Sequence, residues 1–142
     1  MGNKFKNTVI LKMWVKNSLR IVSSKGEVEK FAEENKNKTC LDFNSSVPIE
    51  RIEDIDQYKL EITKQWGCRS NSCQPIILCD KSNSIGYKFN TNGGAPILWL
   101  VKVSFIYPKI TFNLSSKNEH NFKGHIKIKN GTIEKYKDLK MF

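Results

Sequence analysis

Between Tyr87 and Lys129 the chain sets out its elements by the spacing of apolar and polar positions. Tyr87 and Phe89 alternate with polar neighbours, as a strand with one covered face requires. Gly93-Gly94-Ala95-Pro96 ends that strand, and Pro96 suits a first helical position, where a missing N–H has no partner to lose. From Ile97 to Ile106 only Lys102 and Ser104 are polar. This predicts a helix covered by protein on most sides, stopped by Pro108. Ile110, Phe112 and Leu114 then alternate with Lys109, Thr111 and Asn113 at a period of two. Phe122, His125 or Ile126, and Ile128 resume the pattern past a turn at residues 118–121.

The same reading extends over the rest of the chain. Residues 1–12 are a basic lead-in in which Val9, Ile10 and Leu11 could add an edge strand. Leu19, Ile21 and Ser23 alternate with Arg20 and Val22, giving a first strand. Ser24 with Glu27 has the spacing of a capping box, and Val28, Phe31 and Ala32 form one apolar stripe of the helix that follows. Leu41 and Phe43 mark a second strand, closed by Pro48. Residues 49–65 are acidic and weakly helical, with Ile52, Ile55, Tyr58, Leu60 and Ile62 as an imperfect stripe ended by Trp66-Gly67. Strands at 74–80 and 85–91 flank a turn at 81–84, and 127–129 faces 132–136 across Asn130-Gly131, a strong hairpin signal. The order predicts an α+β fold: a mostly antiparallel sheet with two main helices on one face, in a ferredoxin-like split β-α-β arrangement. One domain at 13–136 would then lie between a basic 1–12 extension and a 137–142 tail.

Charge adds direction to this picture. The 142 residues carry a net charge of +10, unevenly placed. Residues 1–26 hold six basic and no acidic side chains, 27–61 hold five against ten, and 62–142 hold thirteen against four. The two basic blocks could share a face. A basic surface attracts nucleic-acid phosphates, anionic membrane or an acidic protein patch, and a lysine-rich surface can also be simply solubilising. No stretch reaches the roughly 20 apolar residues of a membrane span. The start has neither a signal-peptide cleavage pattern nor a favourable myristoylation sequence, so the expected location is cytoplasmic. Oligomeric state is left open.

Candidate chemistry is sparse. Cys40, Cys68, Cys73 and Cys79 read as free thiols, their spacing looser than a zinc knuckle, and Cys79 resembles a small hydrophobe in a strand. Two histidines, His120 and His125, and no nucleophile, P-loop or metalloprotease motif point to a protein without catalysis, cofactor or metal. Nucleic-acid binding has better material. Lys12, Lys16, Arg20, Arg69, Lys88, Lys123, Lys127 and Lys129 are interleaved with Trp14, Tyr87 and Phe122, the mixture a sheet uses to meet phosphates and stack bases.

Several segments together resemble the YubB-like ferredoxin-like domain family, small proteins carried largely by phages, plasmids and prophages. Met13-Trp14-Val15-Lys16-Asn17 is similar to its N-W-C-x-N opening, and 26–33 to its first helix. Val47-Pro48-Ile49-Glu50 follows V-P-x-P-E, 66–72 follows W-G-T-K-W-D-A, and 91–96 follows T-A-W-S-P-P. Glu119, Phe122 and Gly124 match the closing E-x-G-x-x-F-x-G. Ser70, Asn71 and Gly93 depart from the family's Trp, Asp and Trp. The resemblance, over residues 13–136, implies the fold named above and a role as a mobile-element accessory protein. One such role is an anti-CRISPR-type inhibitor that binds a host nucleic-acid-targeting complex; direct RNA or DNA binding is the alternative. For a protein partner, the acidic 49–65 segment and the turn from Trp66 to Arg69 are the expected contacts, unless Trp66 is a helix-end core residue.

Overall fold

The computed structural model describes residues 13–137. The edge strand expected at 9–11, and the tail beyond Lys137, lie outside the described residues. In chain order the elements are β1 (Trp14–Val22), α1 (Lys25–Glu34), α2 (Phe43–Ser46), α3 (Ile55–Trp66), β2 (Cys73–Lys81), β3 (Ser84–Asn92), α4 (Ile97–Ile106), β4 (Thr111–Asn118), β5 (Lys123–Lys129) and β6 (Thr132–Lys137). The strands form one antiparallel sheet in the order β2-β3-β1-β4-β5-β6. The described residues are therefore α+β, with six strands and four helices where two main helices were expected. No helix among the described residues is long and apolar enough to cross a membrane.

Strand alternation decides which face the helices cover. Val15, Leu19 and Ile21 of β1, Tyr87 and Phe89 of β3, Phe112 and Leu114 of β4, and Ile126 and Ile128 of β5 are all buried on one side. A one-residue slip would bury lysines in their place, so this pattern fixes the register. Where the covered face becomes polar, its side chains satisfy one another. Ser116 Oγ donates to Asn17 Oδ1 at 2.7 Å, Asn17 Nδ2 to Thr91 Oγ1 at 2.9 Å, and Thr91 Oγ1 to the Gly94 carbonyl at 2.6 Å. That chain of hydrogen bonds ties β4, β1 and β3 together.

Two aromatic clusters join helices to sheet. Phe31 of α1 meets Tyr107, Phe112 and Tyr87 edge-on, with ring centroids 5.2, 5.6 and 6.3 Å away. Phe43 of α2 stacks on Trp99 at 4.4 Å and meets Trp66 and Phe89 edge-on at 5.5 and 5.7 Å. Both indoles also donate to this segment, Trp99 to the Phe43 carbonyl at 3.2 Å and Trp66 to the Val47 carbonyl at 2.9 Å.

Leu41 and Phe43 are buried as a strand pattern would have them, yet no strand forms there. Asp42, between them, caps α2 instead, accepting from the Asn44 N–H at 3.1 Å and Ser45 Oγ at 3.1 Å. Asn71 Nδ2 reaches the same carboxylate at 2.6 Å, while Asn71 Oδ1 accepts the Phe43 N–H at 2.9 Å. A side chain has taken the place of a ladder. Burial alone would raise the Asp42 carboxyl, but hydrogen bonds from Asn71, Asn44, Ser45 and Asn37 outweigh it and hold the group below the usual carboxylate range. A depressed native value contributes stability above the unfolded pKa of about 4 and loses it as pH falls through the native value. Urea midpoints should therefore drop between pH 5 and the acid limit, about as conditions cross that range. The Asp42→Asn variant should be weaker at pH 7 and show a shallower acid slope; an identical slope would remove Asp42 from the account.

Other local expectations need correction. Ser24 is the N-cap of α1 but its side chain makes no capping bond, so the capping box is absent. Pro96 is the N-cap residue of α4, one position before the helix begins. In α3 only Ile62 and Trp66 are buried, whereas Ile55 and Leu60 face solvent, because the helix touches its neighbours along a narrower stripe. Cys79 is exposed, since β2 is an edge strand with Ile76, Ile77 and Leu78 also uncovered.

Candidate nucleic-acid interface

The face of the sheet away from the helices is built by the residues that alternate with the core. On β1 these are Trp14, Lys16, Ser18 and Arg20. Register carries their neighbours into rows. Lys16 lies beside Asn90 and Lys117, and Lys117 beside Lys123. In the next row Lys88 adjoins Ser18, Ser115 adjoins His125, and His125 adjoins Lys137. In the third, Arg20 lies beside Asn113, Asn113 beside Lys127, and Lys127 beside Lys135. Lys129 sits across from Thr111 in the last.

The inner strands β1, β3, β4 and β5 contain no Asp or Glu at all. Carboxylates occur only on the two edge strands, as Asp80 of β2 and Glu134 of β6. Glu134 pairs with Lys127 at 3.5 Å in a half-exposed contact, and Glu119 of the β4–β5 turn is a second carboxylate at the edge of this otherwise basic face. Ten of the fourteen carboxylates of the chain belong to residues 27–61, in the helical layer. Basic sheet and acidic helices thus form opposite sides.

Two adjoining depressions mark this face. The larger, about 870 Å³, is lined by Lys16, Lys88, Lys117, Phe122, Lys123 and His125 among others. The smaller, about 290 Å³, is lined by Trp14, Asn90 and Glu119, and shares Lys16, Lys117 and Asn121 with the larger. Between them lies the β4–β5 turn, organised by Asn118. Its Oδ1 accepts the N–H groups of His120 at 2.9 Å and Phe122 at 3.1 Å, and its own N–H reaches the Phe122 carbonyl at 3.0 Å. The Trp14 N–H donates to Glu119 Oε1 at 3.1 Å, linking the start of β1 to the same turn.

Of the residues read from the sequence as binding candidates, Lys16, Arg20, Lys88, Lys123, Lys127 and Lys129 share this face, with Trp14 and Phe122. Trp66 does not: it is buried, 3% exposed, and is a core residue. Tyr87 is likewise buried, its hydroxyl without a hydrogen-bond partner and its ionisation pushed upward by burial and by Cys40 and Asp80. Arg69 lies at the β3–α4 loop. Its N–H donates to the Asn92 carbonyl at 2.8 Å, and a Cβ on Gly93 would collide with its guanidinium. Lys12 is outside the described residues. Lys117, Lys135 and Lys137 were missed, although their period-two positions on β4 and β6 were a usable signal once register was known.

The β6 lysines depend on the Asn130-Gly131 turn. Asn130 has φ of 49° and Gly131 of 73°, the Gly131 N–H donates to Ser104 Oγ at 2.8 Å, and a Cβ there would strike the Phe105 ring. Gly131→Ala should cost about 1–2 kcal/mol from backbone strain alone, read as a lower thermal midpoint together with lost protection of β6 amides. An unchanged midpoint would show that the turn adapts.

Cys68 offers no competing site. Burial pushes the Cys68 thiol up to about 12, and its Sγ donates to the Ser70 carbonyl at 3.2 Å, so it is chemically inert. No three His, Cys, Asp or Glu side chains among the described residues converge to hold a metal ion.

No family model matches the chain, and no curated protein matches it. Among solved structures it is similar to the crystal structure of a protein api92 from Yersinia pseudotuberculosis, labelled DUF1281. The TM-score is 0.50 at 16% identity, over 56% of this chain and 29% of that one. The chain spans less than a third of that protein, and the likeness is one of fold alone.

Proposed function

We propose that this chain is a non-enzymatic binding protein that holds the phosphate backbone of a nucleic acid across the open face of its sheet. The observation that carries the reading is the absence of any carboxylate on the four inner strands, while Lys16, Arg20, Lys88, Lys117, Lys123, Lys127 and Lys129 project from them. Solubility alone asks for charge, not for one sign sorted onto one face and the other sign behind it.

In the wider form of this proposal the protein is a phage- or plasmid-type accessory factor, acting in the host cytoplasm as an anti-CRISPR-type inhibitor that occupies the guide or target strand of a nucleic-acid-targeting complex. Support for that role is the family resemblance of residues 13–136 taken together with the basic face. An enlarged ferredoxin-like core is favoured by the order β2-β3-β1-β4, in which β1 and β2 run parallel on either side of β3.

The test is fluorescence anisotropy with a labelled oligonucleotide at several salt concentrations. Log affinity should fall linearly with log salt, by a slope of about 0.7–0.9 for each phosphate engaged. Affinity without salt dependence, or binding only to anionic vesicles, would overturn the reading. A pull-down from host lysate with and without nuclease extends the test: capture of a protein complex that requires its nucleic acid fits the inhibitor, and capture that survives nuclease and reversal of the face lysines speaks against it.

A further inference from the structure

We infer that the strand held on this face is unpaired, with bases stacked on Trp14 and Phe122; the inference rests on the nucleic-acid reading above. Among the described residues four aromatic side chains are exposed: Trp14, Phe105, Phe122 and Tyr136. Phe105 belongs to a helix, and Tyr136 pairs with buried Ile126, which puts it on the opposite parity. The remaining two, 37% and 47% exposed, line the depressions that hold Lys16 and Lys117, Phe122 doing so from the turn that precedes β5, although its position has the parity of Ile126. Each ring keeps an open portion within a lysine field, Phe122 lying tilted against His120 with centroids 6.5 Å apart.

Their placement is fixed rather than incidental. Phe122 is held at both its N–H and its carbonyl by Asn118, and Trp14 is tied through its N–H to Glu119 of the same turn. Both rings are therefore positioned by one connected set of bonds, without the rings themselves being used. Each opens onto a depression, and the two depressions share Lys16, Lys117 and Asn121. β1 and β5 flank β4, so the backbones carrying the two rings are about 10 Å apart.

That alternation of ring, lysine and ring suits a chain whose bases and phosphates alternate. In a duplex the base faces are already consumed by its own stack, and only phosphates and groove edges are offered. The rings would then contribute nothing. An unpaired strand offers both faces of every base, and stacking on an aromatic is tolerant of base identity. Asn90 and Asn121, beside the lysines, supply neutral donors and acceptors for base edges.

The experiment uses the full chain with a labelled 15-nucleotide oligo-dT and the same strand annealed to oligo-dA. Trp66 and Trp99 are buried, so Trp14 is the accessible fluorophore of the three tryptophans. Single-strand binding should quench emission, and the strand should bind about tenfold or more tightly than the duplex. Trp14→Leu and Phe122→Leu should each weaken strand binding by about tenfold while leaving the salt slope and duplex binding unchanged, and Trp14→Phe should restore most of the affinity. Saturated binding without quenching, or equal affinity for strand and duplex, overturns the inference but leaves the basic-face reading intact. If neither probe binds, both fail together. Because the side chains are exposed and their turn bonds are backbone bonds, these variants should keep the wild-type thermal midpoint.

Discussion

Replacing Lys16 and Lys123 together by Glu is expected to weaken oligonucleotide binding on the order of a hundredfold at about 0.1 M salt. The two flank Lys117 in one row across β1, β4 and β5. The double change removes two positive charges and installs two negative ones within about a Debye length of every phosphate along that row. The log–log salt slope should also shrink by about 1.4 for a single strand, since two phosphate contacts are lost. Both side chains are exposed, so stability should stay within about 0.5 kcal/mol of wild type. The control is Lys25→Glu with Lys36→Glu on the helical side, an identical change in net charge, which should cost far less. Equal losses from both pairs would mean that net charge, not the sheet face, governs binding, and the proposed interface would be abandoned.

The second large effect concerns the core. Phe43→Ala should lower unfolding free energy by about 3–5 kcal/mol, because it empties the space between Trp99, Trp66 and Phe89 in a core with no obvious means of collapse. Domains of this size are commonly stable by only about 5–15 kcal/mol, so the variant should be visibly unfolded at moderate temperature. Phe43→Leu, keeping most of the volume, should recover a large part of the loss. Urea midpoints with unchanged m-values would read both; a loss under about 1 kcal/mol for alanine would mean the helical layer can close over the gap.

Local elements were legible where one pattern dominated. The helix at Ile97–Ile106 has the bounds its apolar run suggests, and the Asn130-Gly131 hairpin forms where that dipeptide stands. Failure came where a side chain outbid the backbone. Leu41 and Phe43 alternate like a strand, but Asp42 and Asn71 between them supply the bonds a neighbouring strand would have given. Trp66 and Tyr87 look like contact aromatics in one dimension, whereas burial is settled by how α3 and β3 pack. The run Ile76-Ile77-Leu78-Cys79 reads as buried because a sequence does not say which strand becomes an edge.

The interface was half visible for a related reason. Period-two spacing says that Lys16 and Arg20 share a side of β1, and that Lys123, Lys127 and Lys129 share a side of β5. It does not say that β4 lies between those strands and adds Lys117 to their row. Residues about a hundred positions apart are joined only by sheet order, which is a property of the whole chain.

The sorting of charge onto two sides gives the molecule a front and a back. The front carries the excess of a net charge of +10, so free copies should repel one another and stay dispersed in dilute buffer. A short oligonucleotide that neutralises the front removes that repulsion, and the complex should turn cloudy at low ionic strength and clear when added salt releases the strand.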